Sequence, residues 1–405
     1  MTQTQLTIDT DMLQQLFTQD AGMKHLLETV VQQVLEAQVS EHLQAAPYER
    51  TEQRKGQRNG TKPRTLISRA GVMELQVPQV RDGSFHTDLF ARYQRSEKAL
   101  AATVMEMVVS GVSTRKVARV TEQLCGTTFS KSTVSALCSE LDPVLTAWNE
   151  RSVAGKMYPF LLVDAIVLKV RQEGRVRAKS WCIAVGITAE GNREILGCQL
   201  YDGERTSTWK EFFVWLKGRG LAGVDLVISD DHGGLVKAVQ ETFLGASWQR
   251  CQAHFLRNIE DAAPKSLRSE LHPHLLSILH APTQEVARSE LSRVLAAYEQ
   301  QASKAMAILE EGFEDASAVL ALPAAIRPRL RTTNVVERLN EEIRRRERVI
   351  RIFPNDASVL RLLGMVLLEK EEDWQTGKQY LDLEAYWQLR AKTAPGKQEV
   401  QQMAA

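Results

Sequence analysis

The sequence predicts an α/β chain in which a mixed-sheet domain, interrupted by an all-helical insertion, follows mainly helical N-terminal segments. Three observations carry this. Strand-like runs at Tyr158–Val170, Ala178–Ile187 and Arg193–Tyr201 follow one another through turns at Gly174 and Gly191, and a helix, a strand and a helix come next. From Phe255 to about Ala325 the apolar positions keep a helical period throughout. Before Asn149 they do the same, apart from one hairpin signature.

A chain of 405 residues exceeds one ordinary core and implies two to four domains, and 43% apolar with 25% charged residues is the balance of a folded chain. No apolar run approaches the roughly 20 residues that span a bilayer, and the polar start MTQTQLTIDTDM lacks the features of a secretory leader. A membrane location is therefore not expected. Cys125, Cys138, Cys182, Cys198 and Cys251 are odd in number and singly spaced, which does not make a disulfide framework. The expectation is a reducing, cytoplasmic setting.

The net charge of +1 gives no support to a polyanionic partner, but local charge does. Arg50 to Arg69 holds Arg54, Lys55, Arg58 and four more cations against the single acid Glu52, and Arg327 to Arg351 holds nine arginines, Arg344 and Arg345 among them, against four glutamates. Arginine forks suit phosphate oxygens, so both blocks are candidate nucleic-acid tracks, with a solvated basic face as the alternative.

In chain order, Asp11 to His42 carries two amphipathic helices broken near Gly22. TLISRAGVMELQVPQVRDGSF then alternates apolar and polar residues around Ala70-Gly71, a hairpin beside the first basic block. Ser113 caps a helix bearing Val117, Val120 and Leu124, and Ser130 caps another bearing Val134, Leu137 and Leu141. This spacing resembles a helix-turn-helix whose second helix would place Lys131, Ser132 and Thr133 in a major groove; a plain helical hairpin is the alternative. The predicted segments are 1–95 (DNA binding or dimerisation), 96–150 (helix-turn-helix-like) and 151–250 (first part of the sheet domain). They continue with 251–326 (helical insertion), 327–390 (second part of the core) and 391–405 (disordered tail).

Within the sheet domain the helix after the third strand covers Ser207 to Lys217, a fourth strand Val224 to Ile228, the next helix starts near Gly234, and a short strand lies at Ser247 to Arg250. This is the order of a ribonuclease H-like mixed sheet, an analogy that only a site can support.

Asp164 interrupts PFLLVDAIVLKV, a run apolar on both strand faces, where an uncompensated charge is costly. Either a basic partner across the sheet or a metal must neutralise it. Asp230, in LVISDDHGGL, stands at the carboxyl end of the fourth strand, where open sheets place ligands; it could equally cap the helix that His232, Gly233 and Gly234 begin, and Asp231 competes for either role. Glu337, in RTTNVVERLNEEIRRR, lies three residues after a possible N-cap, Asn334, at capping-box spacing, yet it also borders the stripe Val336, Leu339, Ile343, Ile350 and so can face the sheet. Two strands and a helix would thus deliver three carboxylates, a hard-oxygen set suited to Mg²⁺ or Mn²⁺, with two ions able to serve an in-line phosphodiester displacement.

The strings VDAIVLKVR, ISDDHGGL, QRCQAHFLRN and RTTNVVERLNEEIRRR, preceded by RNGTKPRTL, DGSF, RYQRSEKAL and GVSTRKV, resemble those of the Mutator-type transposases of bacterial insertion sequences. Each string is weak, but their ordered set is specific and spans roughly Arg58 to Pro354. The resemblance implies an acidic triad on a ribonuclease H-like fold with a helical insertion before the glutamate, mapping onto Asp164, Asp230 and Glu337. It also implies a functional Cys-x-x-His pair, Cys251 and His254. That pair is half a tetrahedral zinc site, which His272, His274 or His280 would have to complete; a structural or DNA-contacting role and simple packing remain open. Trp209, on the helix after the third strand, is either a core residue or, if exposed, a platform for an unpaired base.

The expected activity is metal-dependent strand cleavage at inverted repeats and transfer of the freed 3′-hydroxyl into target DNA, by a homodimer or higher oligomer on double-stranded DNA. A nuclease or junction resolvase would share the triad without an end-binding module. A domesticated DNA-binding regulator would not need the triad.

Overall fold

The computed structural model describes residues 7–8, 10–18, 22–68, 70–90, 96–125 and 129–393. The expected tail from 396 onward lies outside them, as do the RYQR residues 92–95 and the side chain of Leu124. The chain divides into two compact units, Met1–Glu140 and Leu141–Ala405.

In the first unit, α1 (Thr10–Thr18) and α2 (Gly22–Leu43) precede a hairpin of β1 (Arg58–Ser68) and β2 (Gly71–Val80). β1 begins inside the basic block, earlier than the alternation suggested, because Thr61 to Ser68 pair antiparallel with Gly71 to Pro78 in unbroken register. Leu35 of α2 packs with Leu66, Met73 and Leu75 of the hairpin. Three helices follow, α3 (Lys98–Val109), α4 (Thr114–Cys125) and α5 (Lys131–Cys138), closed around Leu100, Val104, Val117, Phe129 and Val134. The Ser130 hydroxyl accepts from Thr133 N at 3.1 Å and so caps α5.

The second unit opens with α6 (Asp142–Asn149), which departs from the sequence reading in one respect. α6 was expected to end the helix-turn-helix segment, but Asp142 takes two 2.6 Å bonds from Arg361 and the Trp148 indole donates to the buried Glu371 at 2.6 Å. Both partners lie on α15 (Asp356–Gln375), the penultimate helix.

Next come β3 (Phe160–Gln172), β4 (Arg175–Ile187), β5 (Arg193–Tyr201), α7 (Thr206–Gly218), β6 (Leu226–Ser229), α8 (Gly233–Thr242) and β7 (Ser247–Arg250). The five strands form one mixed sheet in the order β5-β4-β3-β6-β7: β3, β4 and β5 pair antiparallel, and β6 and β7 join parallel. Leu161 and Val163 point to the sheet face covered by Trp209, Phe212, Phe213 and Leu216 of α7 and Leu235 and Val239 of α8. By strand alternation Asp164 points to the other face, where α14 (Asn334–Ile350) and α15 lie.

Between β7 and α14 the chain forms α9 (Gln252–Ala262), α10 (Arg268–Leu279), α11 (Gln284–Tyr298), α12 (Ser303–Ser317) and the single turn α13 (Arg327–Leu330). α9 to α12 bury a core of their own, including Phe255, Leu271, Leu275, Val294 and Phe313, so this stretch is a self-supporting helical layer. α16 (Glu384–Thr393) closes the unit. Among the described residues no helix is long and apolar enough to cross a membrane.

Candidate active site

The parallel pairing of β3 with β6 runs Phe160 to Leu226, Leu161 to Val227 and Leu162 to Ile228. Continued by two residues, the same register sets Asp164 opposite Asp230. Asp164 Oδ1 accepts from Ala165 N at 2.8 Å and Oδ2 from Asn340 Nδ2 at 2.7 Å. Among the described residues no lysine or arginine pairs with it, and its cross-strand neighbour is Ile183, so the basic partner that sequence alone allowed is not there. Burial, and then the charge of Asp230, push the Asp164 carboxyl up to about 7; Glu337 adds to the rise, while Ala165 N–H and His254 oppose it.

Asp230 is also raised, by burial first, with His254 and His232 opposing. It does not cap α8, whose N-cap is His232 with no side-chain cap bond. Asp231 differs from it: exposed, and held by Arg250 at 3.0 Å. His232 Nδ1 lies 3.5 Å from Glu204 Oε1, which also accepts from Trp209 Nε1 at 3.1 Å. Gly234 lets the start of α8 lie against the start of α7, since a Cβ there would sit 2.9 Å from Thr206 N. Trp209 itself is fully buried among Phe212 and Phe213, so it is a core residue and presents no stacking face; its indole N–H fixes Glu204 instead.

Glu337 is not a capping-box residue. The N-cap of α14 is Thr333 rather than Asn334, which places Glu337 one position beyond the box, and its carboxylate accepts from Thr333 Oγ1 at 3.3 Å. His254 Nε2 stands 3.7 Å from Glu337 Oε1. One ligand atom each from Cys251, His254 and Glu337 lie within 4.8 Å of one another, the only such group of three among the described residues. The three carboxylates Asp164, Asp230 and Glu337 share one neighbourhood but are not drawn that tightly together. The other histidines do not join: His272 bonds Glu260 and His274 packs on Tyr298. Contact with Cys251, outweighing burial, holds the His254 imidazole up at about 9, with Glu337 and Asp164 adding to it. For the Cys251 thiol, burial opposes ionisation, but His254 and Thr333 outweigh it and the pKa falls.

Beside Glu337 an open groove of about 530 Å³ is lined by His254, Asn340, Glu341 and the four arginines Arg257, Arg344, Arg345 and Arg348. Arg344 also bonds Glu347 at 2.7 Å, and Arg345 lies 3.3 Å from Glu342.

The whole run from Met1 to Gly377 matches the family model described as "Transposase, Mutator family". The chain belongs to the Mutator family of transposases. It is 45% identical over 390 residues to the transposase for insertion sequence element IS256 in transposon Tn4001 of Staphylococcus aureus, covering 95% of this chain and 100% of that one. The transposase for insertion sequence element ISRM5 of Rhizobium meliloti is 44% identical over 369 residues (91% and 92%), and that for IS1081 of Mycobacterium tuberculosis 39% over 382 (93% and 92%).

In this Mutator-family chain the remaining predicted contacts lie in the first unit. Lys131, Ser132 and Thr133 are exposed at the start of α5, and Lys55 is exposed. Arg54 and Arg58 are committed internally: Arg54 to the carbonyls of Gly56 (2.8 Å) and Glu49 (2.9 Å), Arg58 to Glu36 (2.8 Å) and Ser40 (2.7 Å). Sequence reading missed Asn340, Glu204 and Arg250. A signal existed for Asn340, a polar residue one turn beyond Glu337 within an otherwise apolar stripe. Glu204 and Arg250 carry none that a single sequence exposes.

Proposed function

We propose that this chain binds the ends of its own insertion sequence, cleaves DNA there, and joins the freed 3′-hydroxyl to target DNA, with Asp164, Asp230 and Glu337 as the acidic triad of a ribonuclease H-like core. The observation that carries the reading is Asp164: a carboxylate in the middle of an apolar strand, without a basic partner among the described residues, register-aligned with a second half-buried carboxylate and approached by Glu337 from α14. The sheet order, three antiparallel strands extended by two parallel ones, supports the fold assignment.

The donor set fits a hard divalent cation. The charge of Asp230 raises the proton affinity of Asp164, and a cation relieves that repulsion in the same way a proton does. The residues that would hold Mg²⁺ or Mn²⁺, as two ions, are Asp164, Asp230 and Glu337. When bound, such ions supply Lewis-acid stabilisation of the attacking and leaving oxygens of an in-line displacement. The rest falls to the chain. Asn340 and the Ala165 N–H fix the rotation of the Asp164 carboxylate, Thr333 and His254 orient Glu337, and Arg250 keeps Asp231 away from the site. Arg257, Arg344, Arg345 and Arg348 line the groove beside Glu337 and suit the phosphates flanking the scissile bond.

End recognition is assigned to the first unit, with Lys131, Ser132 and Thr133 facing base edges and Lys55 a phosphate, and the active form to a homodimer or higher oligomer on DNA. Glu337→Gln tests the proposal: it should abolish cleavage and joining in Mg²⁺ while leaving end binding within a few fold. A variant that still cuts removes Glu337 from the triad.

A further inference from the structure

We propose that Cys251, His254 and Glu337 form a second metal site, for a thiophilic divalent ion of the Zn²⁺ class, and that filling it silences the enzyme by taking Glu337 from the carboxylate set. The silencing half rests on the triad reading above; the metal site does not.

Cys251 and His254 stand three residues apart across the first turn of α9, and Glu337 reaches them from the first turns of α14. Their ligand atoms lie within 4.8 Å of one another. Around a tetrahedral ion with bonds of about 2.0–2.3 Å the same atoms would be roughly 3.5 Å apart, so small side-chain rotations close the site. The sulfur is prepared as a ligand: Thr333 N and Oγ1 stand 3.4 and 3.3 Å from Cys251 Sγ, where they stabilise the thiolate. The Thr333 hydroxyl has one proton, which serves either Cys251 or Glu337 Oε1 at a time. The His254 ring contacts Cys251 on one side and Glu337 on the other, with Nε2 3.7 Å from Glu337 Oε1, and its buried Nδ1 makes no well-formed hydrogen bond. That leaves an imidazole nitrogen for a metal.

The donor types set selectivity. Sulfur and imidazole favour Zn²⁺ and its congeners, whereas Mg²⁺ takes oxygen and keeps its water, so the two sites prefer different ions while sharing one carboxylate. Three protein ligands leave a fourth position to water, which keeps the ion exchangeable. Binding requires Cys251 as thiolate and His254 as neutral imidazole, so the proton the two groups share is released. The consequence is a switch: Glu337, turned toward Cys251 and His254, cannot also serve Asp164 and Asp230.

Titrating the full-length protein with Co²⁺, a spectroscopic substitute for Zn²⁺, should give a thiolate-to-metal charge-transfer absorption that saturates at one ion per chain and is bleached by Zn²⁺. Cys251→Ser should lose the absorption, and His254→Gln should weaken Co²⁺ binding on the order of tenfold or more, which covers the case of a serine variant that does not fold. Asp164→Asn should keep the absorption while losing cleavage. In a Mg²⁺-supported cleavage assay, Zn²⁺ should inhibit near one equivalent per chain and a chelator selective for Zn²⁺ should restore the rate. No charge-transfer absorption in the unaltered protein, or one that persists in Cys251→Ser, overturns the site. Full activity with the site saturated by Zn²⁺ overturns the sharing of Glu337. Cleavage by Asp164→Asn would instead count against the triad, leaving the spectrum to decide the metal site.

Discussion

In the metal-free protein, Asp164→Asn should raise stability at neutral pH while abolishing chemistry. The Asp164 carboxyl sits at about 7 in the fold against 3.8 ordinarily, chiefly through burial and Asp230. Its folded-state value lies above its unfolded one, so between about pH 4 and 7 the folded chain keeps a proton that the unfolded chain releases, and stability falls as pH rises through that window. At about 1.4 kcal/mol per pKa unit the ceiling is about 4 kcal/mol, and relaxation around a partly solvated carboxylate removes a good part of it. Against this, the asparagine amide has one oxygen where the carboxylate accepts from both Ala165 N and Asn340 Nδ2, and a lost bond costs about 1 kcal/mol. The net expectation is a gain of about 1–3 kcal/mol at pH 8, vanishing or reversing near pH 4, where the wild-type group is protonated. Urea unfolding in the presence of chelator at pH 4.5, 6 and 8 measures it. Added Mg²⁺ should stabilise the wild type and not the variant, because only a bound ion shifts the folding equilibrium. A variant no more stable than wild type at pH 8, or a difference independent of pH, would refute the account of an uncompensated, half-buried carboxylate.

The remaining predictions bear on the neighbours of that residue and on end recognition. Asp230→Asn should eliminate cleavage and Asp231→Asn reduce it less, since Asp231 is spent on Arg250; parallel assays in Mg²⁺ rank them, and the reverse ranking moves the site by one residue. Asn340→Ala should lower the cleavage rate at least tenfold and raise the Mg²⁺ concentration for half activity, a shift that a purely structural asparagine would not produce. Replacing Lys131 should weaken binding to terminal-repeat duplex and, if it reads a base, relax sequence preference by about 1–3 kcal/mol, whereas replacing Lys55 should weaken specific and random duplexes alike. Equal affinity of the unaltered protein for both duplexes at two salt concentrations would remove sequence recognition from this region.

The first three strands were legible because they are long and joined by turns at Gly174 and Gly191: β5 has the bounds read from sequence and β3 differs by two residues at each end, and the short β7 also keeps its bounds. Asp164 was legible for a related reason, since a charge inside an apolar run contradicts its surroundings. Glu337 was harder. Its spacing from Asn334 mimics a capping box, and only the placement of Thr333 as N-cap separates the two roles. Charge counts in the basic block ignore geometry: Arg54 is bonded to the loop carbonyls of Glu49 and Gly56, and Arg58, at the start of β1, to Glu36 and Ser40 of α2, whereas Lys55 is exposed. Trp209 is an ordinary failure of the optional reading, with the ring used for the core and only its N–H for the site.

The placement of α14 explains why the helical insertion precedes the glutamate. As a member of the proposed triad Glu337 has to reach the face of β3 that bears Asp164, and that face belongs to α14 and α15, opposite the layer made by α7 and α8. The chain leaves β7 at the sheet edge beside β6, and Cys251 N bonds back to Ser229 O at 2.7 Å, holding the start of α9 against the end of β6. Four helices then close on their own core before the chain returns, and Gln252 N bonds Arg331 O at 2.9 Å, tying the return to the departure. The insertion thus begins and ends at one point, and that point carries Cys251, His254, Thr333 and Glu337. Length can be added between α9 and α13 without moving Glu337, because the two strands of chain are fastened to each other beside the carboxylates. Loosening that fastening should therefore disturb the site more than shortening the helices it encloses. Substituting Gln252, the first residue of α9, by proline removes the N–H that Arg331 O accepts at 2.9 Å and should lower the Mg²⁺-supported cleavage rate, while a substitution at exposed Glu285 on α11 should leave it unchanged. Equal effects from the two would show that the insertion acts on the site through its bulk rather than through its base.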